Sequence, residues 1–534
     1  ALTMTSASAS SSTDSVLELY GPDGTTLIEH DNDDGSFSSN ASSIAGAVLP
    51  TTGTYYLRVR HNQATGQLFP YDLYMHLQRG TPGVESEPND DPSNANPLPA
   101  SGWVAGTFDV ANDVDIYSLE LNAGDTIVLS LDLDPERDGV EVNGRLGFGL
   151  FGSSFLVVND QGLSTPDSEA LPFTVLNSGT YHIYVDAPAA GTYQLSAMVI
   201  PAPTPAGVCT TYTSSDVPLP IPSEPGMISS TLDVPDNLRI TDVDLLLTLN
   251  HTLMSDLDMV LVSPGGNAVS LFNDIGSNTS GVNTEMNIRL DDDAALPIGT
   301  FTVVKDIVYQ PEATARLEWF EGMQAQGTWT LQLYDDAAGD AGTLLEWGLR
   351  ICGEPEQPPV AELACPANTR PAVVYSSTFD DDDGGFTSSG VENEWEWGLP
   401  SAAPLDDCAS GNCWKTDLDN TYNASSNQDL TSPALDLSRY VGEARVVWSQ
   451  KYQLERADFD HAWFEVRTTD ASEVSRLWEW LGPTMTQNIG NPAFTLHESA
   501  GWARHSADIS TYLGRTIELN AHLDSDDAIQ FAGY

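Results

Sequence analysis

Carboxylates are the main chemistry-bearing groups of this sequence. Its 534 residues include 77 Asp and Glu against 20 Lys and Arg, a formal net charge of -57, and only Lys305, Lys415 and Lys451 are lysines. Oxygen donors at this density can hold a hard divalent cation, Ca2+ above all, which takes roughly six to eight oxygen ligands. They also make a solvated shell that suits a salty medium. Two such runs are Glu85-Ser86-Glu87-Pro88-Asn89-Asp90-Asp91 and Asp113-Val114-Asp115. Asp31-Asn32-Asp33-Asp34-Gly35 and Asp380 to Asp383 begin like EF-hand loops, but Ser42 and Val391 stand where the closing Glu belongs, so both read as turns with weak cation affinity.

Groups for bond-breaking chemistry are not assembled in the sequence. A serine peptidase needs a nucleophile, a base and an orienting carboxylate, yet no Gly-Thr-Ser-x-Ala/Met or His-Gly-Thr segment occurs. The nine histidines form no His-Glu-x-x-His pair, and there is no Gly-x-Ser-x-Gly elbow. Paired acids suit glycosidases, but with this many carboxylates proximity is expected by chance. No catalytic residue is therefore expected. A nucleic-acid partner is excluded by the lack of a basic face, and an anionic membrane surface is disfavoured for the same reason. No run of about 20 apolar residues could span a bilayer. The first residues, ALTMTSASAS, have neither the basic nor the apolar region of an intact signal peptide.

The elements that must carry these residues read as strands. Tyr55, Leu57 and Val59 alternate with polar neighbours, as do Val243, Leu245, Leu247 and Leu249, and then Trp329, Leu331 and Leu333. Period-two alternation separated by Gly, Asn, Asp and Pro marks half-buried antiparallel strands. The fold class is all-β: tandem β-sandwich or jelly-roll modules joined by Pro-rich linkers near 79–83, 200–207 and 353–371. Four modules follow, at 1–79, 84–200, 208–353 and 372–534. The first two look like an internal repeat. Gly53-Thr54-Tyr55 and Tyr71-Asp72-Leu73 correspond to Gly179-Thr180-Tyr181 and Tyr193-Gln194-Leu195. Fewer residues precede Gly53 than its counterpart, so the first copy is expected to lack its opening strands.

Three resemblances follow from these motifs. Residues 85–199 resemble a bacterial pre-peptidase C-terminal (PPC) domain, through the acidic segment, Asp113-Val114-Asp115-Ile116-Tyr117, Ala123-Gly124-Asp125 and the two Gly-Thr-Tyr strand starts. Residues 1–78 resemble the back half of the same domain. Relatives in secreted collagenases bind Ca2+, and position-by-position matching implies Glu85, Glu87, Asn89, Asp90, Asp113 and Asp115 as ligands, all of them hard oxygen donors. Residues 209–352 resemble the P (Homo B) domain of kexin-like and bacterial subtilisin-like proteases, through Ser255-Asp256-Leu257, Leu261-Val262-Ser263-Pro264, Gly327-Thr328-Trp329 and Trp347-Gly348-Leu349. That resemblance implies a jelly roll that often carries Ca2+, with Asp256, Asp335 and Asp340 as ligand candidates. Residues 372–534 are similar to the MAM-like jelly roll behind immune inhibitor A-type metallopeptidases, through Trp397-Gly398-Leu399-Pro400, Leu435-Asp436-Leu437, Asp460-His461 and Asp524-Ser525-Asp526. This last module is expected to be incomplete at its C-terminal side.

The P-domain resemblance brackets its module with Cys209 and Cys352, which are expected to form a disulfide. Cys408 and Cys413 are expected to form a local one, leaving Cys365 unpaired, as suits an oxidising compartment. The resemblances imply a non-catalytic, Ca2+-stabilised accessory region of a large secreted or cell-surface protein, associated with an extracellular peptidase. Its partners would be an extracellular protein or glycan, or copies of itself. A structural or adhesive protein built only of β modules is one alternative. A carbohydrate-binding accessory using the tryptophans of the last module is another.

Overall fold

The computed structural model describes residues 2–4, 14–32, 41–63, 68, 72–139, 142–150, 156–158, 168–205, 207–264, 268–312, 317–321, 323–355, 365–403, 405–455, 459–480, 486–489, 494–497 and 502–534. Asp33, Asp34, Gly35 and Tyr71 lie outside these. The alternating segments become sheet throughout. Among the described residues there is no α-helix, and helical geometry is confined to three short 3-10 turns. No helix is long and apolar enough to cross a membrane. The chain forms two compact units. One holds residues 1–204, 246–255 and 275–313; the other holds 205–245, 256–274 and 314–534.

In the first unit, residues 84–200 form a β-sandwich. One sheet orders Leu156–Val158, Arg145–Leu150, Gly179–Asp186, Val114–Leu121 and Asn96–Pro97. The facing strands are Ser168–Val175, Thr126–Asp132, Gly191–Ile200, Trp103–Phe108 and Gly83–Val84. Ile127, Leu129, Leu131, Phe148, Ile183 and Leu195 fill the space between and are wholly buried or nearly so. Phe148 stacks on Tyr181 at 5.3 Å and meets the edge of Phe173 at 5.0 Å, arrangements that favour ring quadrupoles. Lys305–Tyr309 adds antiparallel to Ser168–Val175 and parallel to Glu285–Leu290.

The described part of residues 1–78 holds two small sheets. Ser15–Tyr20 lies between Leu27–Asn32 and Tyr56–His61, and Leu2–Met4 pairs with Asp72–Tyr74. Arg137 ties this segment to the sandwich at 84–200. Its guanidinium donates to Asp132 at 2.7 Å, to the Ala45 carbonyl at 2.6 Å and to Glu29 at 3.4 Å. Burial nevertheless outweighs that attraction and pushes the Asp132 carboxyl up to about 6.

In the second unit, Gly226–Val234 pairs with Gly327–Asp335 along nine residues, and Leu257–Val262 and Ala268–Phe272 complete a four-stranded sheet. Trp329 and Trp347 are buried, and each indole N–H is satisfied, by the Ala325 carbonyl at 2.9 Å and by Ser230 Oγ at 2.6 Å. Cys209 faces Cys352 in the pairing of Val208–Thr213 with Gly342–Pro355, and the two form a disulfide. Cys408 and Cys413 form the second, and Cys365 is free and exposed.

The C-terminal part of this unit is a further sandwich around Leu454, Val466, Trp480, Ile517 and Leu523. Trp395 and Trp480 are buried there, while Trp414, Trp448 and Trp478 pack against the core. Trp463 lies between the Arg476 guanidinium, 4.1 Å from its ring centre, and the His522 imidazole, stacked at 3.8 Å. Both ring faces are therefore covered. Asp381 to Asp383 form turns, with Asp382 and Asp383 accepting the N–H groups of Gly384 and Gly385 at 2.9 Å.

Replacing Cys209 and Cys352 together by Ser should cost about 4–5 kcal/mol, because the loop they close spans 143 residues. Denaturant unfolding without reductant checks this; a loss under about 1 kcal/mol would show that strand pairing alone holds these ends.

Candidate metal centre

The acidic segment of the second module closes one end of its sandwich. Gly83–Val84 runs parallel to Val104–Ala105, and the Glu85 N–H donates to the Ala105 carbonyl at 3.3 Å. Further along, the Ile116 N–H donates to the Asn89 carbonyl at 3.0 Å, and Asn96–Pro97 pairs with Tyr117–Ser118. Residues 85–90 thus pass from the strand Trp103–Phe108 in one sheet to Val114–Leu121 in the other. Asn96 fixes the crossing by bonding both the N–H and the carbonyl of Ser86, at 2.7 and 2.9 Å. The Glu87–Pro88 peptide is cis.

This route brings together all six residues implied for the module. Carboxylate oxygens of Glu85, Glu87 and Asp115 lie within 4.8 Å of one another, as do those of Glu87, Asp90 and Asp113, with Glu87 common to both groups. Asp115 and Asn89 are fully buried. Oriented to donate, the Asn89 amide nitrogen reaches Asp115 Oδ1 at 3.0 Å and Glu87 Oε2 at 3.1 Å. Turned the other way it presents a third oxygen to those two, an arrangement that only a cation makes favourable.

The floor is a pair of tyrosines whose hydroxyls meet at 2.7 Å. Tyr193 reaches Asp115 Oδ2 at 2.7 Å and Glu85 Oε2 at 2.9 Å, and Tyr117 reaches Glu85 Oε2 at 3.2 Å. Glu85 also accepts the Thr107 N–H at 2.5 Å. Two hydroxyl protons must serve two carboxylates and each other, so the carboxylates stay short of donors. Burial pushes the Asp115 carboxyl up to about 8; the Tyr193 hydroxyl opposes this, and the negative charges of Glu85, Asp113 and Glu87 add to it. Burial likewise raises Glu85, and it raises both tyrosines. Asp113 is partly engaged elsewhere, accepting the Asp109 N–H at 2.6 Å. A group of this kind holds either a proton or a cation.

The P-domain candidates are placed differently. Asp335 is buried at the end of Gly327–Asp335, opposite Leu257, and accepts the Ala337 N–H at 3.3 Å. Asp256 is buried in the turn before Leu257, and its carbonyl accepts the Asp336 N–H at 3.0 Å. Asp340 is half-buried in the loop that follows. Among the described residues, no group of three converging ligand atoms includes Asp256, Asp335 or Asp340. Glu455, Asp460 and Asp526, which the sequence did not single out as ligands, do converge within 4.8 Å. Asp460 accepts the Tyr422 hydroxyl and, at 2.9 Å, the Asp526 N–H; burial raises its carboxyl. The sequence signal was only two short motifs, Asp460-His461 and Asp524-Ser525-Asp526, far apart in the chain.

Comparison with known proteins bears on one segment of the chain. The proprotein convertase P-domain family matches residues 240–351. That segment contributes residues to both compact units. The chain is also similar to Bacillopeptidase F of Bacillus subtilis (strain 168), 28% identical over 167 residues, covering 31% of this chain and 10% of the relative. It thus spans about a tenth of that protein's length. Among solved structures, a serine protease of Aeromonas sobria aligns at 19% identity over 29% of this chain and 28% of its own, TM-score 0.17. The tandem CBM22 domains of Paenibacillus barcinonensis Xyn10C align at 12% over 61% and 86%, TM-score 0.18.

Two outcomes follow for metal-free protein. An acid raised in the folded state contributes stability that is full below its unfolded value near 3.8 and is lost as pH rises through about 8. In chelator, the module holding Asp115 should therefore melt at falling temperature between about pH 5 and 8, and Asp115→Asn should flatten that fall. Calorimetry across this range checks it; an unchanged slope in the variant would remove Asp115 as the cause. Separately, a Cβ at Gly106 would collide with the Tyr193 ring and Glu85. Gly106→Ala should cost about 1–3 kcal/mol, read by denaturant unfolding.

Proposed function

We propose that this chain is a non-catalytic, Ca2+-stabilised accessory region of a large exported protein whose attached chemistry is peptidase chemistry. The observation that carries the association is the P-domain family match at residues 240–351. Similarity to a bacterial peptidase supports it. The physical support is an array of β modules without an assembled catalytic constellation in sequence, held by two disulfides. Disulfides belong to oxidising surroundings and so favour an extracellular or cell-surface location. In this reading the modules stabilise the attached peptidase or tether its substrate, an extracellular protein or glycan.

Ca2+ is the cation that the first-unit cluster suits. Glu85, Glu87, Asp90, Asp113 and Asp115 with the Asn89 amide oxygen supply six hard donors, with no thiol or imidazole among them. Bound there, the ion would replace the proton on Asp115 and order the crossing at residues 85–90. The alternative in which the last module binds sugar by stacking on Trp463 is disfavoured, because that ring offers no free face.

The test is thermal unfolding in Ca2+ and in chelator. At about ten times Kd the ion should add about 1.4 kcal/mol to the module that binds it, with affinity in the range of extracellular modules, about 10⁻⁴–10⁻³ M. Glu87→Gln, which removes the carboxylate shared by both groups, should abolish most of this shift. Equal melting with and without Ca2+ at millimolar concentration would overturn the metal part. The peptidase part is tested by the intact mass and sequence of the native polypeptide. Flanks containing only further β modules would overturn it.

A further inference from the structure

One strand of the second module is buried on the side that its pattern should leave wet. In Ser168–Val175 the core residues Leu171, Phe173 and Val175 alternate with Ala170 and Thr174. Period two turns that second set to the outside of the sandwich. Yet Ala170 and Thr174 are only 2% and 3% exposed. What covers the strand at its Thr174 end comes from far along the chain, within the segment that the P-domain family matches.

The joint has a main-chain part and a side-chain part. Lys305–Tyr309 adds to the edge that Thr126–Asp132 leaves open, with Val308 opposite Thr174 and Ile307 opposite Val175. The Ala295 N–H donates to Thr174 Oγ1 at 3.0 Å, and the same hydroxyl meets Thr126 Oγ1 at 2.7 Å. Ala294, Ala295, Leu296, Ile307, Val308 and Tyr309 are all buried. Glu285–Leu290 continues the sheet parallel to Lys305–Tyr309. Two short parallel strands do not hold together alone in water, and residues 275–313 belong to the same compact unit as the second module.

We propose that the second module and residues 285–309 unfold as one cooperative unit, so that cation binding at the acidic cluster regulates the stability of this part of the P-domain match. The cluster and the joint occupy opposite ends of the sandwich. Tyr193, in the floor of the cluster, precedes Gln194, which pairs with Asp132; the joint is at Thr126, the other end of that strand. Six residue steps separate the ends, about 20 Å. Nothing need move across that distance. A ligand bound only by the folded module stabilises every element that unfolds with it. The regulation rests on the Ca2+ reading given above, whereas the shared unfolding does not.

The experiment is hydrogen exchange on the full chain, comparing the slowest amides of Thr126–Asp132 with those of Glu285–Leu290 and Lys305–Tyr309. Its first arm, in chelator, uses Ile183→Val. Ile183 is fully buried in the facing sheet, where it pairs with Phe148 and Tyr117. Exchange should rise about 5-fold in the module and by the same factor in the two distant strands. A rise confined to the module would overturn the proposal and assign the stability of those strands to the rest of the P-domain match. The second arm adds Ca2+ at about ten times Kd, which should slow both sets about 10-fold. Slowing in the module alone would overturn the regulation. Slowing nowhere would overturn the Ca2+ reading and the regulation with it, while the first arm still decides whether the two parts unfold together.

Discussion

A buried, negatively charged oxygen without a positive partner is the constraint around which the best-formed site of this protein is arranged. Asp115 sits at the start of a core strand, fully buried, with Glu85, Glu87 and Asp113 acting on it as like charges. Taking an ionised carboxylate out of water is costly unless something neutralises it. Elsewhere the chain does this with guanidinium groups: Arg137 on Asp132, Arg145 on Asp186, Arg350 on Asp244. At Asp115 the neighbours are two tyrosine hydroxyls, an amide and more acids. The same residues hold the strand Trp103–Phe108 of one sheet to Val114–Leu121 of the other, so the charge problem and the closure of the sandwich are one problem. A cation would solve both.

The acidity of the sequence therefore has two parts that composition does not separate. Many of the described acids are bonded to local turn N–H groups, as with Asp23, which accepts from Thr25 and Thr26, or Asp91, which accepts from Ser93. Such groups are held below the ordinary carboxylate range by hydrogen bonds and need no ion. A smaller set, Asp115, Glu85 and Asp460 among them, is pushed upward by burial. Convergence of several carboxylates with no guanidinium or ammonium beside them, rather than density of charge, marks where a positive charge would be taken up.

The tryptophans illustrate the same separation. Their crowding in the last module suggested either packing or sugar stacking. Trp395 and Trp480 are buried, Trp397 and Trp414 donate to the carbonyls of Phe379 and Asp383, and Trp463 is enclosed between Arg476 and His522. These large rings are consumed in making the core and covering its edges.

Class of fold was legible because side-chain periodicity is a local property. Alternation such as Val243, Leu245, Leu247, Leu249 constrains a strand wherever it ends up. Both disulfides could be named from bracketing and from short loop length. The six residues of the first-unit cluster came as a set from the resemblance to the PPC domain, four in one acidic segment and two flanking Val114. What the sequence could not determine is which acids lose their water. Asp113 and Asp115 are two positions apart, either side of Val114, yet Asp115 is fully buried and Asp113 is not. Glu455, Asp460 and Asp526 come together from separate segments, and Asp256, Asp335 and Asp340 join no converging group of three among the described residues. Burial and convergence are properties of strand pairing between distant residues, and those pairings are decided only when the sheets close.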